Sequence, residues 1–286
     1  MRRLLVVTAD DLGLTRGVNE AVRRAHRDGI VTATSLLAVG TAFDDAARVL
    51  RDHPALELGA HLALVGEDPP LLSAREVPTL VGRDGRFPLS YRTVVARGLA
   101  GRIDPDDVRR ELTAQLERVQ GVGVPVTHLD THQHTHLWPV VAQVVTELAL
   151  GAGVPAVRLP RSRARGVTGA GVGVLSGALR RRLDRAGLTT TQDYAGLDEA
   201  GAMDEARLAA TLTSAAARGA RTLEVNTHPG VADDPDAGRF TWDYRWADEL
   251  AALTSPRTRA HVDACGYELT GFGGLDRSST STEGRP

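Results

Sequence analysis

Two adjacent carboxylates, Asp10 and Asp11, end the segment Thr8-Ala9-Asp10-Asp11, which follows directly on a short apolar run, Leu4 to Val7. In parallel α/β folds the C-terminal ends of strands point into the site. Side-by-side carboxylates repel unless a cation or a shared proton relieves them. One then binds a metal while its neighbour takes up a proton; the plainer alternative is that Asp10 or Asp11 caps the next helix. His61, in Gly59-Ala60-His61, ends another apolar stretch. By itself it reads as a satisfied polar residue, and only its company makes it a ligand candidate. The densest feature runs from Thr127 to His136, where His128, Asp130, His132, His134 and His136 occupy alternate positions. On an extended chain they would share one face and span about 26 Å. One ion with bonds of about 2.1 Å cannot collect them all. The run must therefore turn, with one or two members binding the ion and the others orienting ligands or touching substrate. His228-Pro229-Gly230 forms a rigid turn that presents an imidazole, either as a proton donor near neutral pH or as a turn residue bonded to backbone. Arg158 closes a short strand and there either grips substrate oxygens or holds Asp10 or Asp130.

The elements that must carry these groups are legible from periodicity. Leu4–Val7, 34–39, 56–64, 124–129, 156–159 and 221–225 read as strands. Between them, 16–28, 43–52, 104–120, 139–150, 179–186, 204–218 and 242–253 read as helices. Thr15 and Asp104 are N-cap residues, and Pro105 suits a first turn. Residues 66–90, rich in Pro, Gly and charge, read as a long functional loop; 160–175 read as loop, and 261–267 as a last strand or turn. Strand–helix alternation without a linker predicts one α/β domain over 1–270, a (β/α) barrel with closure either complete or incomplete, or failing that a doubly wound open sheet. Residues 271–286 read as a disordered tail.

Composition bounds the function. A chain of 286 residues with 42% hydrophobic and 24% charged residues has material for a large core. Its formal charge of −2 argues against nucleic acid as partner. The arginines at 158–165 and 180–185 read as a solvated face. A single cysteine, Cys265, excludes an internal disulfide and a thiolate metal cluster and fits a reducing cytoplasm. The apolar run after Met1 is too short for an export segment, and no stretch approaches the roughly 20 apolar residues of a membrane span.

The motifs ADDLG, GAH, THLDTHQHTH, VRLPR and HPG occur in this order. Together they resemble the YdjC-type carbohydrate deacetylases, including chito-oligosaccharide and hopanoid-associated deacetylase-like proteins, over roughly residues 4 to 270. The resemblance implies a barrel related to other sugar deacetylases and one divalent metal, often assigned as magnesium. It implies Asp11, His61 and His132 as metal ligands, Asp10 as base and His228 as acid. His134 and His136 match the family's His-x-His run, with a place at the substrate or behind the ligands. The Asn226-Thr227 pair departs from the commonest form, and 160–200 gives no firm match. The implied reaction removes an N-acetyl group from an amino sugar. Two imidazoles suit zinc better than magnesium, which prefers oxygen, so both metals stand open. The expected partner is a small carbohydrate or glycolipid, with a homodimer allowed. Two rivals are a metal-dependent phosphoesterase or other amidohydrolase, needing a second metal site, and a non-catalytic sugar-binding protein, against which Asp10 counts.

Overall fold

Each apolar run adds a strand to one parallel sheet, and each amphipathic stretch folds back over it. The computed structural model describes residues 2–275. In chain order the elements are β1 (Arg3–Leu12), α1 (Arg16–Arg27), β2 (Ala33–Leu37), α2 (Phe43–Asp52), β3 (Glu57–Leu62), α3 (Tyr91–Leu99), α4 (Pro105–Gln120), β4 (Val126–Thr131), α5 (Pro139–Gly151), β5 (Ala156–Val157), α6 (Val167–Ala186), β6 (Asp193–Ala195), α7 (Glu205–Ala217), β7 (Thr222–Thr227), α8 (Trp246–Thr254), α9 (Pro256–Ala264) and β8 (Tyr267–Leu269). The strands run β5-β4-β3-β2-β1-β7-β6, with β8 beside the first residues of β1. The sheet curls, and its edges approach through one isolated bridge between Ala156 and Thr189. It is a (β/α) barrel whose closure is incomplete at that seam.

Two-residue periodicity separates the faces of the sheet. Leu5, Val7 and Ala9 of β1 belong to the large core beneath the helices. Leu4 and Val6 point the other way, into a small cluster with Ala33, Ala156, Phe272 and Leu275. The next side chains on that inner face are Thr8 and Asp10. The interior is thus apolar at its base and polar toward the C-terminal strand ends. Thr15 caps α1 and Asp104 caps α4, as their residue types require.

Several elements differ from expectation. Residues 160–175 are not all loop, because α6 begins at Val167. Its four glycines each cost about 0.5–1 kcal/mol in a helix. Burial of Leu179 and Leu183 returns about 1.5–3 kcal/mol each, enough to offset that. Gly169 is required there, since a Cβ would lie 1.9 Å from the Ala164 carbonyl oxygen. The helix expected at 242–253 starts only at Trp246, and α3 and α9 are helices that periodicity did not reveal. His261 lies in α9, and the strand follows it. β6 is too short to show a period. Of the expected tail, Phe272 and Leu275 are buried in the barrel base, and 276–286 lie outside the described residues. Arg158 is not part of a solvated run; it is wholly buried.

Candidate active site

Strict alternation would turn Asp10 inward and Asp11 toward the helices. The register of β1 slips between Ala9 and Leu12, and Asp11 adopts φ of +64°. Aspartate tolerates this left-handed conformation better than a bulky residue does. Both carboxylates therefore reach the site. The histidine run is bent by the same device. A 3-10 turn begins at His132, and Gln133 and His134 have φ of 51° and 53°.

These turns bring three donor atoms together. Asp11 Oδ1 lies 3.0 Å from His132 Nδ1 and 3.4 Å from His61 Nε2, and the two imidazole nitrogens are 3.3 Å apart. Around an ion with bonds of about 2.1 Å, neighbouring donors sit about 3.0–3.4 Å apart. The three buried groups fit one divalent cation. The other ring nitrogen of His61 bonds Asp130 Oδ1 at 2.6 Å, the support a ligating imidazole commonly has. Burial pushes His61 down, but the Asp130 and Asp10 carboxylates and the bonds from Asp11 and Asp130 outweigh it and hold the imidazole up to about 10. Burial pushes Asp11 up, yet His132 and His61 hold it well below the usual carboxylate range. Positive charge is thus favoured between them.

Asp10, His61 and Asp130 form a second acidic group, but a guanidinium is already there. Arg158 donates to both Asp10 oxygens, at 2.6 and 2.7 Å, and to Glu224 at 2.7 Å, and its Nη1 is 2.9 Å from Asp130. Asn226 Nδ2 adds a 2.6 Å bond to Asp10. Ser35 donates to Asp130 at 2.6 Å. Burial lifts Glu224 to about 7 despite Arg158.

The remaining histidines separate by place. His128 sits deeper, stacked on Phe272 with centroids 3.9 Å apart, and burial drops it to about 3. Gly59 makes room for that ring, since a Cβ would fall 2.2 Å from His128 Nε2. His136 bonds the Thr131 hydroxyl and the Arg158 carbonyl, and burial lowers it to about 4. His134 meets the Tyr194 hydroxyl at 3.2 Å. A cavity of about 400 Å³ is lined by Asp10, His61, His132, His134, His228 and Tyr244, with Val94, Val95, Trp138, Val172 and Leu175 in its walls. His128, Asp130, His136 and Arg158 stand behind this lining. A larger hollow of about 670 Å³ near Arg161 and Arg218 contains none of the clustered donors, so the smaller cavity is the candidate site.

Sequence reasoning missed the loop after β7. Trp242 lies over His132 with ring centroids 5.3 Å apart and donates to Glu67 at 2.8 Å. Tyr244 packs 5.0 Å from His228. The signal was present: Phe240, Trp242, Tyr244 and Trp246 crowd seven positions of a chain with only 4% aromatic residues.

Comparison with known proteins shows the family and the fold. Residues 4–264 match the family described as YdjC-like protein. A chitooligosaccharide deacetylase of Klebsiella pneumoniae is 33% identical over 270 residues, covering 94% of this chain and 98% of its own. A carbohydrate deacetylase of Geobacillus stearothermophilus is 32% identical over 271 residues, covering 94% and 96%. A crystal structure from Enterococcus faecalis, provisionally named a cellobiose-phosphate cleavage protein, matches with a TM-score of 0.79 at 22% identity, covering 96% of this chain and 98% of that one. At that identity the likeness speaks for the fold alone.

Proposed function

We infer that this chain, which belongs to the YdjC-like protein family, is a metal-dependent carbohydrate deacetylase that hydrolyses an N-acetyl group on an amino sugar. One observation carries the reading: three buried donor atoms 3.0–3.4 Å apart, two of them on His61 and His132 in the cavity wall, lie beside a wall carboxylate, Asp10, held on both oxygens by Arg158. The names of the Klebsiella and Geobacillus relatives support the substrate class.

When bound, a divalent cation held by Asp11, His61 and His132 supplies Lewis acidity toward the acetyl carbonyl and a water. Asp10 takes that water's proton as its oxygen bonds to the acetyl carbon. Arg158 and Asn226 aim the Asp10 carboxylate, so little reorganisation is needed at that moment. The carbon–nitrogen bond breaks, acetate leaves, and His228 protonates the amine. Each acid–base step of this kind contributes about 10²–10⁴-fold. Trp242, pinned by Glu67, shields the His132 side of the site from water. The ligand set of two imidazoles and one carboxylate favours a zinc-like ion over magnesium.

The phosphoesterase rival needs a second cation. Its natural seat, between Asp10 and Asp130, is filled by Arg158. Acetate release from N-acetylated amino sugars, assayed with zinc and with magnesium after chelation, tests the proposal. Asp10→Asn should abolish acetate release while the cation stays bound. Full turnover in that variant would remove Asp10 from the mechanism, and hydrolysis of phosphate esters alone would replace the reading.

A further inference from the structure

We propose that Glu249 is a positioning residue that places His228 through the main chain; the inference rests on the deacetylase reading above. Glu249 lies in the first turn of α8 and is fully buried. Among the described residues no arginine or histidine pairs with it. Its two oxygens instead accept from two backbone N–H groups, His228 at 2.6 Å and Met203 at 3.0 Å. Those amides belong to the loops that follow β7 and β6. One carboxylate thus ties together two loops that flank the cavity. The same loops interlock nearby: Arg245 N–H bonds the Gly201 carbonyl at 2.8 Å, and a Cβ on Gly201 would fall 2.1 Å from the Tyr244 ring.

The reason this matters lies in the His228 side chain. An imidazole used for proton transfer is usually aimed by a bond on its second nitrogen. Here Nδ1 of His228 is buried and has no partner among the described residues, and the ring only tilts against Tyr244. No bond on Nδ1 aims the ring. Its direction is therefore inherited from the main chain, and Glu249 grips that main chain at the His228 amide. Burying a carboxylate is costly, and an apolar residue at position 249 would close the loops by packing alone. A carboxylate spanning two amides adds a set separation between the loops. A displacement on the order of 1 Å at a proton donor can cost about 10²-fold in rate, so that separation has catalytic weight.

A double-mutant cycle on the cation-loaded enzyme tests this. Glu249→Gln, which puts an amide N–H against one of the two donors, should lower kcat about 10-fold and leave KM within about threefold. In the His228→Gln background the same change should alter kcat by less than about twofold. An equal loss in both backgrounds, or full kcat in Glu249→Gln, overturns the inference. If Glu249→Gln does not fold, Glu249→Asp, too short to span both amides, takes its place with the same expectation. If the wild-type enzyme releases no acetate from any N-acetylated sugar, the deacetylase reading is what fails. The placement is then read from the imidazole NMR signal of His228: a shift on Glu249→Gln upholds it, and an unchanged signal overturns it.

Discussion

At the scale of single residues, Arg158 decides whether the site exists. It is buried among Asp10, Asp130 and Glu224, and removing it leaves three carboxylates in a poorly solvated interior. Breaking a buried pair by deleting one partner costs about 3–5 kcal/mol. Arg158→Met should therefore lower the unfolding free energy from urea titration by that order, and Arg158→Lys should recover only part, because an ammonium cannot serve three acceptors with a planar fork. An unfolding free energy within about 0.5 kcal/mol of wild type for Arg158→Met would show that the carboxylates find another way to neutralise. The residue also explains a motif. The run VRLPR carries its first arginine inward, because Ala156 and Arg158 share the inner face that alternation assigns them.

At the scale of elements, the active geometry depends on places where regular structure stops. β1 slips register at Asp11, and the histidine run folds into a 3-10 turn at His132. Without those two breaks, Asp11 would face the helices and His132 would continue along the strand. A regular part of β3 matters as much. Gly59 lets His128 cross the barrel interior, where Ser35 and Phe272 hold it. Gly59→Ala should cost about 1–3 kcal/mol by overpacking. Adding His128→Ala should recover much of that loss by vacating the space, and additive losses in thermal melts would contradict the close approach.

At the scale of the whole molecule, the barrel interior sets how the fold responds to acid. Burial depresses His128 to about 3 and His136 to about 4, against about 6.5 in an unfolded chain. Above pH 6.5 both states are neutral, and the two groups add no pH dependence. As pH falls below 6.5 the unfolded chain takes up protons that the folded one refuses, so stability declines down to about pH 3–4. A loss of a few kcal/mol between pH 7 and 4.5 is expected in urea titrations, and His128→Gln should flatten that limb. An equal midpoint at both pH values would mean that these rings accept protons in place. Among the described residues no helix is long and apolar enough to cross a membrane.

The sequence alone determined the α/β alternation and the set of residues that gather at the strand ends, while it left a barrel, closed or not, beside a doubly wound open sheet. These follow from local physics: apolar runs become strands, amphipathic runs become helices, and polar residues at the C-terminal ends of parallel strands face the site. β6 escaped because its three residues hold no period, and the first half of α6 escaped because its glycines mask the apolar stripe. Residue spacing left open which members of the histidine run meet Asp11; the family resemblance implied His132, and the tertiary structure brings that ring to Asp11. That choice rests on three left-handed residues, Asp11, Gln133 and His134, whose conformations are stabilised by contacts between distant segments. The same holds for Glu249, which reads as an ordinary helix-start acid until two loops from elsewhere in the chain fold onto it.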